Sequence, residues 1–187
     1  MHPQVDFYLI DNGATPDISQ VMEGYGAVSR HEENIYVNPA WNEAMKYFMA
    51  GDWDVLIIAN SDLWVALGWY EALEQGMAHP LTVCSPSSRV MEEDALAGAG
   101  VPGHCICLTR EAVEIVYPIP SELRVWFGDS WIYGWLAGIG WTVRVLKDMR
   151  AGHQASQSVA GIPGIHDIIE EDKAAWAALE KPWLSTK

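Results

Sequence analysis

The stretch Asp54-Val55-Leu56-Ile57-Ile58-Ala59-Asn60-Ser61-Asp62 decides the fold of this chain. Its five apolar residues, 55–59, are rich in β-branched side chains and favour a strand that is buried on both faces, as in the centre of a parallel sheet. Helical spacing of apolar residues at 39–49 and 69–77 predicts a helix on either side of this strand. Strands that alternate with helices predict an α/β layer fold with a mostly parallel central sheet.

Further strands and helices extend this pattern along the chain. Runs of β-forming residues predict strands at 5–10, 35–37, 81–84, 104–109 and 142–146. Helices are expected at 110–116 and 129–139, and a polar helix is expected near 170–179. The length of 187 residues is that of one domain of ordinary size, so we expect a single domain over 1–187 that ends in a loop and helix from 161.

The charge of the chain excludes some classes of partner. Asp and Glu number 25 against 11 Lys and Arg, which gives a formal net charge of −14. Proteins that bind a nucleic-acid backbone mainly by charge carry clusters of Lys and Arg, whereas the basic residues here are scattered singly. Extensive binding to nucleic acid or to an anionic membrane is therefore not expected, although a small local contact is allowed.

The cysteines and the apolar segments bear on the cellular compartment in which the protein is expected. The three cysteines are an odd number without a C-x-x-C pair, which is typical of a reducing environment. The first residues, MHPQVDFYLID, lack the basic and apolar regions of a secretory signal. The apolar stretch 131–143 is shorter than the roughly 20 residues that span a bilayer. We therefore expect a cytoplasmic protein without a membrane span.

Carboxylates follow the predicted strands at the edge where α/β sheets bind ligands. They occur in Asp11-Asn12-Gly13, in Asn60-Ser61-Asp62 and at Asp129. A carboxylate at the exit of a buried strand is suited to hold a divalent cation through oxygen. In the alternative, Asp62 caps the following segment and Asp129 is an N-cap or a first-turn acid of a helix.

Seven short segments then occur in an order that resembles one known group of enzymes. They are 11–17, Asn34 with Asn42, 60–62, 68–73, 103–110, 127–129, and His153 with Ser156 and Ser158. Together, over residues 5–160, they resemble the GT-A glycosyltransferases, in particular those of family 2. The resemblance implies a three-layer α/β/α fold of the type that binds nucleotide-diphospho-sugars.

The resemblance also implies a set of donor-binding residues. Asp11 and Asn12 would lie near the base and ribose of a nucleotide-sugar, for which a UDP-sugar is the first expectation. Asn34 and Asn42 match a second donor-binding motif, and Asn60 would lie beside the ribose or the sugar.

The chemistry of transfer is implied at three further positions. Asp62, with His153 as a further ligand, would hold the Mn²⁺ or Mg²⁺ that neutralises the diphosphate. Asp129 would be the general base that takes a proton from the acceptor hydroxyl, which gives inversion at the anomeric carbon. A histidine at 153 that is merely a solvated loop residue is the alternative.

We therefore expect a metal-dependent, inverting glycosyltransferase of the hexosyltransferase type. Its acceptor is open between a glycan, a small molecule and a hydroxymethylated DNA base. Tryptophans near the late motifs are either an acceptor platform or core residues; they are Trp126, Trp131, Trp135 and Trp141.

The sequence departs from the family pattern in ways that favour an alternative function. Gly128 stands where the family has a glutamate, and Tyr36 stands where it has a glycine. The usual first strand of the family has no counterpart here, so either the sheet edge is covered in another way, for instance by the partner subunit of a homodimer, or the donor site is incomplete. The alternative is a non-catalytic nucleotide- or sugar-binding module derived from this fold.

Overall fold

Strands and helices alternate along the computed structural model, which describes residues 5–14, 17–18, 24–96, 103–153, 162–181 and 183. The helices are α1 (Val37–Ala50), α2 (Trp69–Met77), α3 (Arg110–Val116), α4 (Gly128–Gly138) and α5 (Ile165–Ala178). The strands are β1 (Phe7–Asn12), β2 (Gly26–His31), β3 (Val55–Ala59), β4 (Leu63–Val65), β5 (Thr82–Ser87), β6 (Ala95–Leu96), β7 (Cys105–Thr109) and β8 (Thr142–His153).

The strands form one six-stranded sheet and one pair. The order in the larger sheet is β3-β7-β5-β8-β4, with β6 paired to β8, and β1 pairs with β2. Only β1–β2 and β5–β8 are parallel among the described pairs, whereas β3–β7, β5–β7, β4–β8 and β6–β8 are antiparallel. The α/β class is confirmed, but the expectation of a mostly parallel sheet is corrected to a mixed one.

The same topology corrects the expected position of β3. This strand ends the order of the larger sheet and pairs with β7 alone among the described strands. Its apolar residues are explained by cover on both faces, because Leu56 and Ile58 pack into one hydrophobic cluster and Ile57 packs against the other. A continuous apolar run reports that both faces are covered and carries no information on whether both edges are paired.

Helices cover the sheet on both sides and give the three layers that were expected. The larger cluster joins α1, α3 and α4 to one face of the sheet, and the smaller cluster joins α2 to the other. Strand β7 contributes to both by alternation, with Ile106 and Leu108 in the larger cluster and Cys105 and Cys107 in the smaller. No helix in the described part of the chain is both long and apolar enough to cross a membrane.

Several element bounds differ from the sequence prediction. The expected strand at 35–37 is the entry to α1, because the side chain of Asn12 accepts a hydrogen bond from the main chain of Ile35 and holds this segment beside β1. The outer strand β2 was missed because every other residue is exposed and few are apolar. Strand β8 runs on to His153, well beyond the expected end at 146, and α5 begins at Ile165.

A cavity of about 1730 Å³ separates β1 from β3. Every residue of both strands lines it, whereas a cavity that lay over a sheet face would meet only alternate residues. Helix α1 packs against both strands. The cavity therefore runs between two strand edges, and among the described strands β1 pairs with β2 alone and β3 with β7 alone.

We expect the three thiols, Cys84, Cys105 and Cys107, to be unreactive in the folded protein. All three are free and buried, and burial raises the pKa of Cys84 to about 12. A hydrogen bond with Cys105, together with burial, raises the pKa of Cys107 well above its ordinary value. At pH 8, Ellman's reagent should titrate none of the three until guanidinium is added, and then all three. A thiol that reacts within minutes in the native protein would contradict the packing described.

Candidate functional site

The turn after β3 is held against the start of β7. The two strands pair antiparallel with Ala59 opposite Cys105, so the end of one lies beside the beginning of the other. The pairing continues past the strand, because the main-chain N–H of Asn60 donates to the carbonyl of His104 at 3.0 Å. The segment 103–104 therefore lies beside the segment 60–62.

A second antiparallel pair brings His153 to the same turn. Leu63, the first residue of β4, pairs with His153, the last residue of β8. His153 Nε2 lies 3.0 Å from Asp62 Oδ1 and 3.3 Å from Asn60 Nδ2. The structure thus brings together three of the residues expected at the site.

Asp62 and His153 are at hydrogen-bond distance, and the same separation suits two ligands of a divalent cation. Two ligands in adjacent octahedral positions, each at about 2.1 Å from Mg²⁺ or a similar ion, are about 3.0 Å apart. The pair supplies one carboxylate oxygen and one imidazole nitrogen at that separation, and each side chain remains partly exposed. No cluster of three His, Cys, Asp or Glu that could hold a metal occurs among the described residues, so the other ligands of a cation here would be water or a bound anion.

His104 is a site residue that the sequence reasoning left as structural. Its ring stacks on that of His153, with centroids 4.9 Å apart and planes inclined by 10°. The residue is only 7% exposed, and its Nε2 is buried without a hydrogen-bond partner among the described groups. Burial, and then the proximity of His153, lowers the pKa of His104, although Asp62 acts in the opposite direction.

Asp129 lies on the other side of the segment 103–104. It is in the first turn of α4, and its Oδ1 accepts a hydrogen bond from the main chain of Ser130 at 2.7 Å. Gly103 packs so closely that a Cβ there would lie 2.8 Å from the Cβ of Asp129. The dipeptide Gly103-His104 therefore lies between Asp129 and His153, and all four residues line the same cavity.

Close packing explains why residue 128 is a glycine here, where the family has an acid. A Cβ on Gly128 would lie 2.1 Å from Oδ1 of Asn38 on α1. The amide of Asn38 donates to the carbonyls of Leu123 and Trp126, and so fixes the loop before α4. No larger side chain fits at 128 unless Asn38 moves.

Asp11 lines the cavity from the β1 side. It is fully buried and forms an ion pair with Arg30 from the neighbouring strand β2. Its other oxygen accepts from the main chain of Ala14 at 2.8 Å. Both oxygens are thus engaged within the protein, and a ligand would share this carboxylate with Arg30.

The predicted donor-binding asparagines differ in position. Asn12 and Asn34 line the cavity, and the amide of Asn12 bridges Ile35 N–H and the carbonyl of Tyr36. Asn42 is not among the cavity residues. Its amide accepts from and donates to the main chain of Ile119, which joins α1 to the segment after α3.

Parts of two predicted motifs cannot be located. In the segment 11–17, Thr15 and Pro16 lie outside the described residues, as do Ser156 and Ser158 after His153. Of the four late tryptophans, Trp131, Trp135 and Trp141 pack in the larger hydrophobic cluster. Trp126 is 44% exposed and lines the cavity near Asp129.

Asp172 on α5 fixes the loop that leads to this site. Its carboxylate is fully buried and accepts three main-chain hydrogen bonds of 2.7 to 3.0 Å, from Arg124, Val125 and Trp126. The sequence contained a signal for this role. Asp172 continues the spacing of Ile165, Ile168 and Ile169, so it lies on the buried stripe of its helix.

The cavity is acidic. No Lys or Arg is among its described lining residues. It has seven acidic side chains, from Asp6, Asp11, Asp52, Asp54, Asp62, Glu74 and Asp129. An anionic ligand would enter a repulsive field unless a cation or several N–H donors compensated its charge.

We expect Asp172→Ala to lower the free energy of unfolding by about 3 kcal/mol, because three buried N–H groups lose a charged acceptor. Urea denaturation followed by tryptophan fluorescence measures the change. Asp167→Ala is the control, since this acid lies in the first turn of the same helix but is exposed and should cost less than about 1 kcal/mol. Equal losses in the two variants would contradict the role of Asp172 in the loop.

Comparison with known proteins identifies the fold. No family model matches the chain, and no curated protein is similar to it in sequence. Among solved structures, GalNAc-T7 with UDP, GalNAc and Mn²⁺ is similar over 92% of this chain and 43% of its own, at 15% identity and a TM-score of 0.65. The mannosyltransferase PcManGT from Pyrobaculum calidifontis, in complex with GDP-Man and Mn²⁺, is similar over 97% of this chain and 59% of its own, at 16% identity and a TM-score of 0.65.

A third structure, A197 from STIV, is similar over 78% of this chain and 83% of its own, at 13% identity and a TM-score of 0.52. The chain spans about half the length of the two transferases. The structural similarity to the two transferases shows a shared fold, and at these sequence identities it does not confirm the narrower resemblance to family 2. The chain has the GT-A fold of glycosyltransferases.

Proposed function

We propose that this protein is a metal-dependent glycosyltransferase that transfers a sugar from a nucleotide-diphosphate donor to an acceptor hydroxyl. One observation carries the proposal: the Asp62–His153 pair and Asp129 line the same cavity of a GT-A fold, with Gly103 packed against Asp129 and His104 stacked on His153. Two transferases of the same fold hold Mn²⁺ together with UDP or GDP-Man.

Asp62 and His153 are the residues that would hold Mn²⁺ or Mg²⁺. When bound, the cation supplies positive charge that stabilises the nucleoside diphosphate as a leaving group. This compensation is needed here because the described lining of the cavity is acidic and contains no Lys or Arg. Asn60, which lies 3.3 Å from His153, is our candidate contact for the ribose or the sugar.

The nucleotide would extend from this pair toward β1. Asp11, Asn12 and Asn34 line that part of the cavity, and we assign them to the base and the ribose. We take a UDP-sugar with a hexose as the first candidate donor. Asn42 would act on the donor only through the segment that it fixes at Ile119.

Asp129 is our candidate for the general base. A sugar hydroxyl is a weak nucleophile until a carboxylate within hydrogen-bond reach takes its proton. The main chain of Ser130 fixes one oxygen of Asp129, and the other faces Gly103, which lines the cavity. A single displacement assisted by this base inverts the anomeric carbon.

The exposed side chain of Trp126 is evidence for an acceptor with a flat or ring-shaped face. Its exposed side chain lines the cavity near Asp129, and an indole face stacks on sugars and on bases. A glycan, a small molecule and a hydroxymethylated DNA base all present a hydroxyl next to a flat or apolar face. The net charge of −14 favours the first two over a long duplex.

The donor site is tested by thermal shift with UDP, GDP, CDP and dTDP, each with and without Mn²⁺. At about 100 times its dissociation constant a nucleotide adds roughly 2.7 kcal/mol and raises Tm by several degrees. We expect one nucleotide to stabilise the protein only with Mn²⁺, and Asp62→Asn to abolish the shift. Asp148→Asn, an exposed acid outside the cavity, should keep it. Absence of a shift with all four nucleotides would overturn the donor site.

The catalytic step is tested with Asp129→Asn and a sugar donor that carries the nucleotide selected above. Loss of the base should lower turnover by about 10² to 10⁴, with nucleotide affinity within about threefold of the parent. Release of the nucleoside diphosphate gives the rate, and proton NMR of the sugar product gives its anomeric configuration. Unchanged turnover would refute the role of Asp129. A parent protein that binds the nucleotide but transfers nothing, even to water, would instead favour a binding module.

A further inference from the structure

Among the described residues of the site, His104 has a buried ring nitrogen that the proposed reaction leaves unused. It is 7% exposed and borders the cavity, yet its Nε2 has no partner among the described groups. A buried polar nitrogen without a partner costs free energy, and such groups are rare in folded proteins. Because the residue also lines the cavity, a ligand bound there can supply the missing partner once the ring turns to present this atom.

The position of the His104 ring indicates which part of a bound nucleotide-sugar it would contact. His104 stacks on His153, whose Nε2 is 3.0 Å from Asp62, so it borders the pair that would hold the cation. Its carbonyl accepts a hydrogen bond from Asn60, which fixes the residue to the same turn. Phosphate oxygens bound at that pair would be the nearest ligand atoms.

The charge of the cavity also indicates that His104 would meet the phosphates of the ligand. A diphosphate is usually bound by Lys or Arg, and the described lining contains neither. The negative charge of the diphosphate that the cation does not neutralise would be met by N–H and O–H donors. An imidazole N–H is a strong donor. His104 offers an imidazole N–H donor beside the residues that would hold the cation.

We propose that His104 is a donor-binding residue whose Nε2–H donates a hydrogen bond to the diphosphate of the nucleotide-sugar. The inference rests on the proposed function and adds a specificity element to it. His104 favours ligands that carry phosphate at this position over nucleosides and free sugars. It also gives a role to the histidine that stands between Gly103 and the first residue of β7.

Two substitutions separate the hydrogen bond from the stacking. His104→Phe keeps a flat ring against His153 but removes the N–H, and His104→Gln keeps an N–H donor but removes the ring. His166→Phe is the control, since His166 is exposed on α5 and outside the cavity. Calorimetry with Mn²⁺ then measures the affinities for the nucleoside diphosphate that the thermal shift selects and for its nucleoside, and electron paramagnetic resonance measures Mn²⁺ binding alone.

We expect His104→Phe to weaken the preferred diphosphate about tenfold to a hundredfold, the effect of losing one hydrogen bond to a charged group. Its affinities for Mn²⁺ alone and for the nucleoside should stay within about twofold, and His104→Gln should recover most of the diphosphate affinity. His166→Phe should behave as the parent. If His104→Phe does not fold, by urea denaturation, His104→Met replaces it as the variant without an N–H.

Other outcomes overturn the inference. Parental diphosphate affinity in His104→Phe together with weak binding in His104→Gln would show that stacking alone matters. A nucleoside affinity that falls as far as the diphosphate affinity would place His104 away from the phosphates. Failure of the parent to bind any of UDP, GDP, CDP and dTDP would refute the donor site itself, which distinguishes that result from a failure of His104 alone.

Discussion

The antiparallel pairing of β3 with β7 is the constraint on which the site depends. It places the end of one strand beside the start of the other, with Ala59 opposite Cys105. The pairing of β4 with β8 repeats this arrangement one turn later and adds His153. A shift of one residue in the first register would exchange the faces of His104 and Cys105, and the stacked histidines would separate. Main-chain hydrogen bonds therefore set the geometry that the polar side chains use.

A second constraint positions Asp129 from the opposite side. The first turn of α4 lies against α1 so closely that only glycine fits at 128, and the preceding loop is fixed by Asn38 and Asp172. Gly103 is required at the opposing contact. Close packing of two helices thus explains why glycine, and not the glutamate of the family motif, is found at 128. Asp129, the acid proposed to take the proton, is still present. Two glycines and two buried polar side chains act together here.

Much of the fold could be predicted from the sequence because the spacing of apolar residues indicates which faces of a helix or strand are buried against neighbouring layers. The helices α1, α2 and α3 and the strands β3 and β7 follow from it, as does the three-layer class. Lateral pairing could not be predicted in the same way, since an apolar run is equally compatible with a central strand and with an outer strand covered on both faces. The outer strand β2, half exposed along its length, gives almost no periodic signal.

The same limitation explains which site residues were missed. A rule for parallel sheets locates ligands at the carboxyl ends of strands, and His104 is at an amino end. Once the antiparallel register is known, its place beside Asn60 follows directly. Asp172 was missed for a different reason, because acids on a polar helix are normally solvated; its spacing with Ile165 and Ile169 was the available signal.

The two facing edges of β1 and β3 have a mechanical consequence. Among the described residues no main-chain ladder joins these strands, so a change in the distance between them breaks no strand hydrogen bond. It is resisted only by contacts such as the packing of both strands on α1 and the bond of 2.7 Å from Trp53 to Asp6. The described main chain therefore offers no ladder of hydrogen bonds against widening of the cleft between the strand that carries Asp11 and the strand that leads to Asp62.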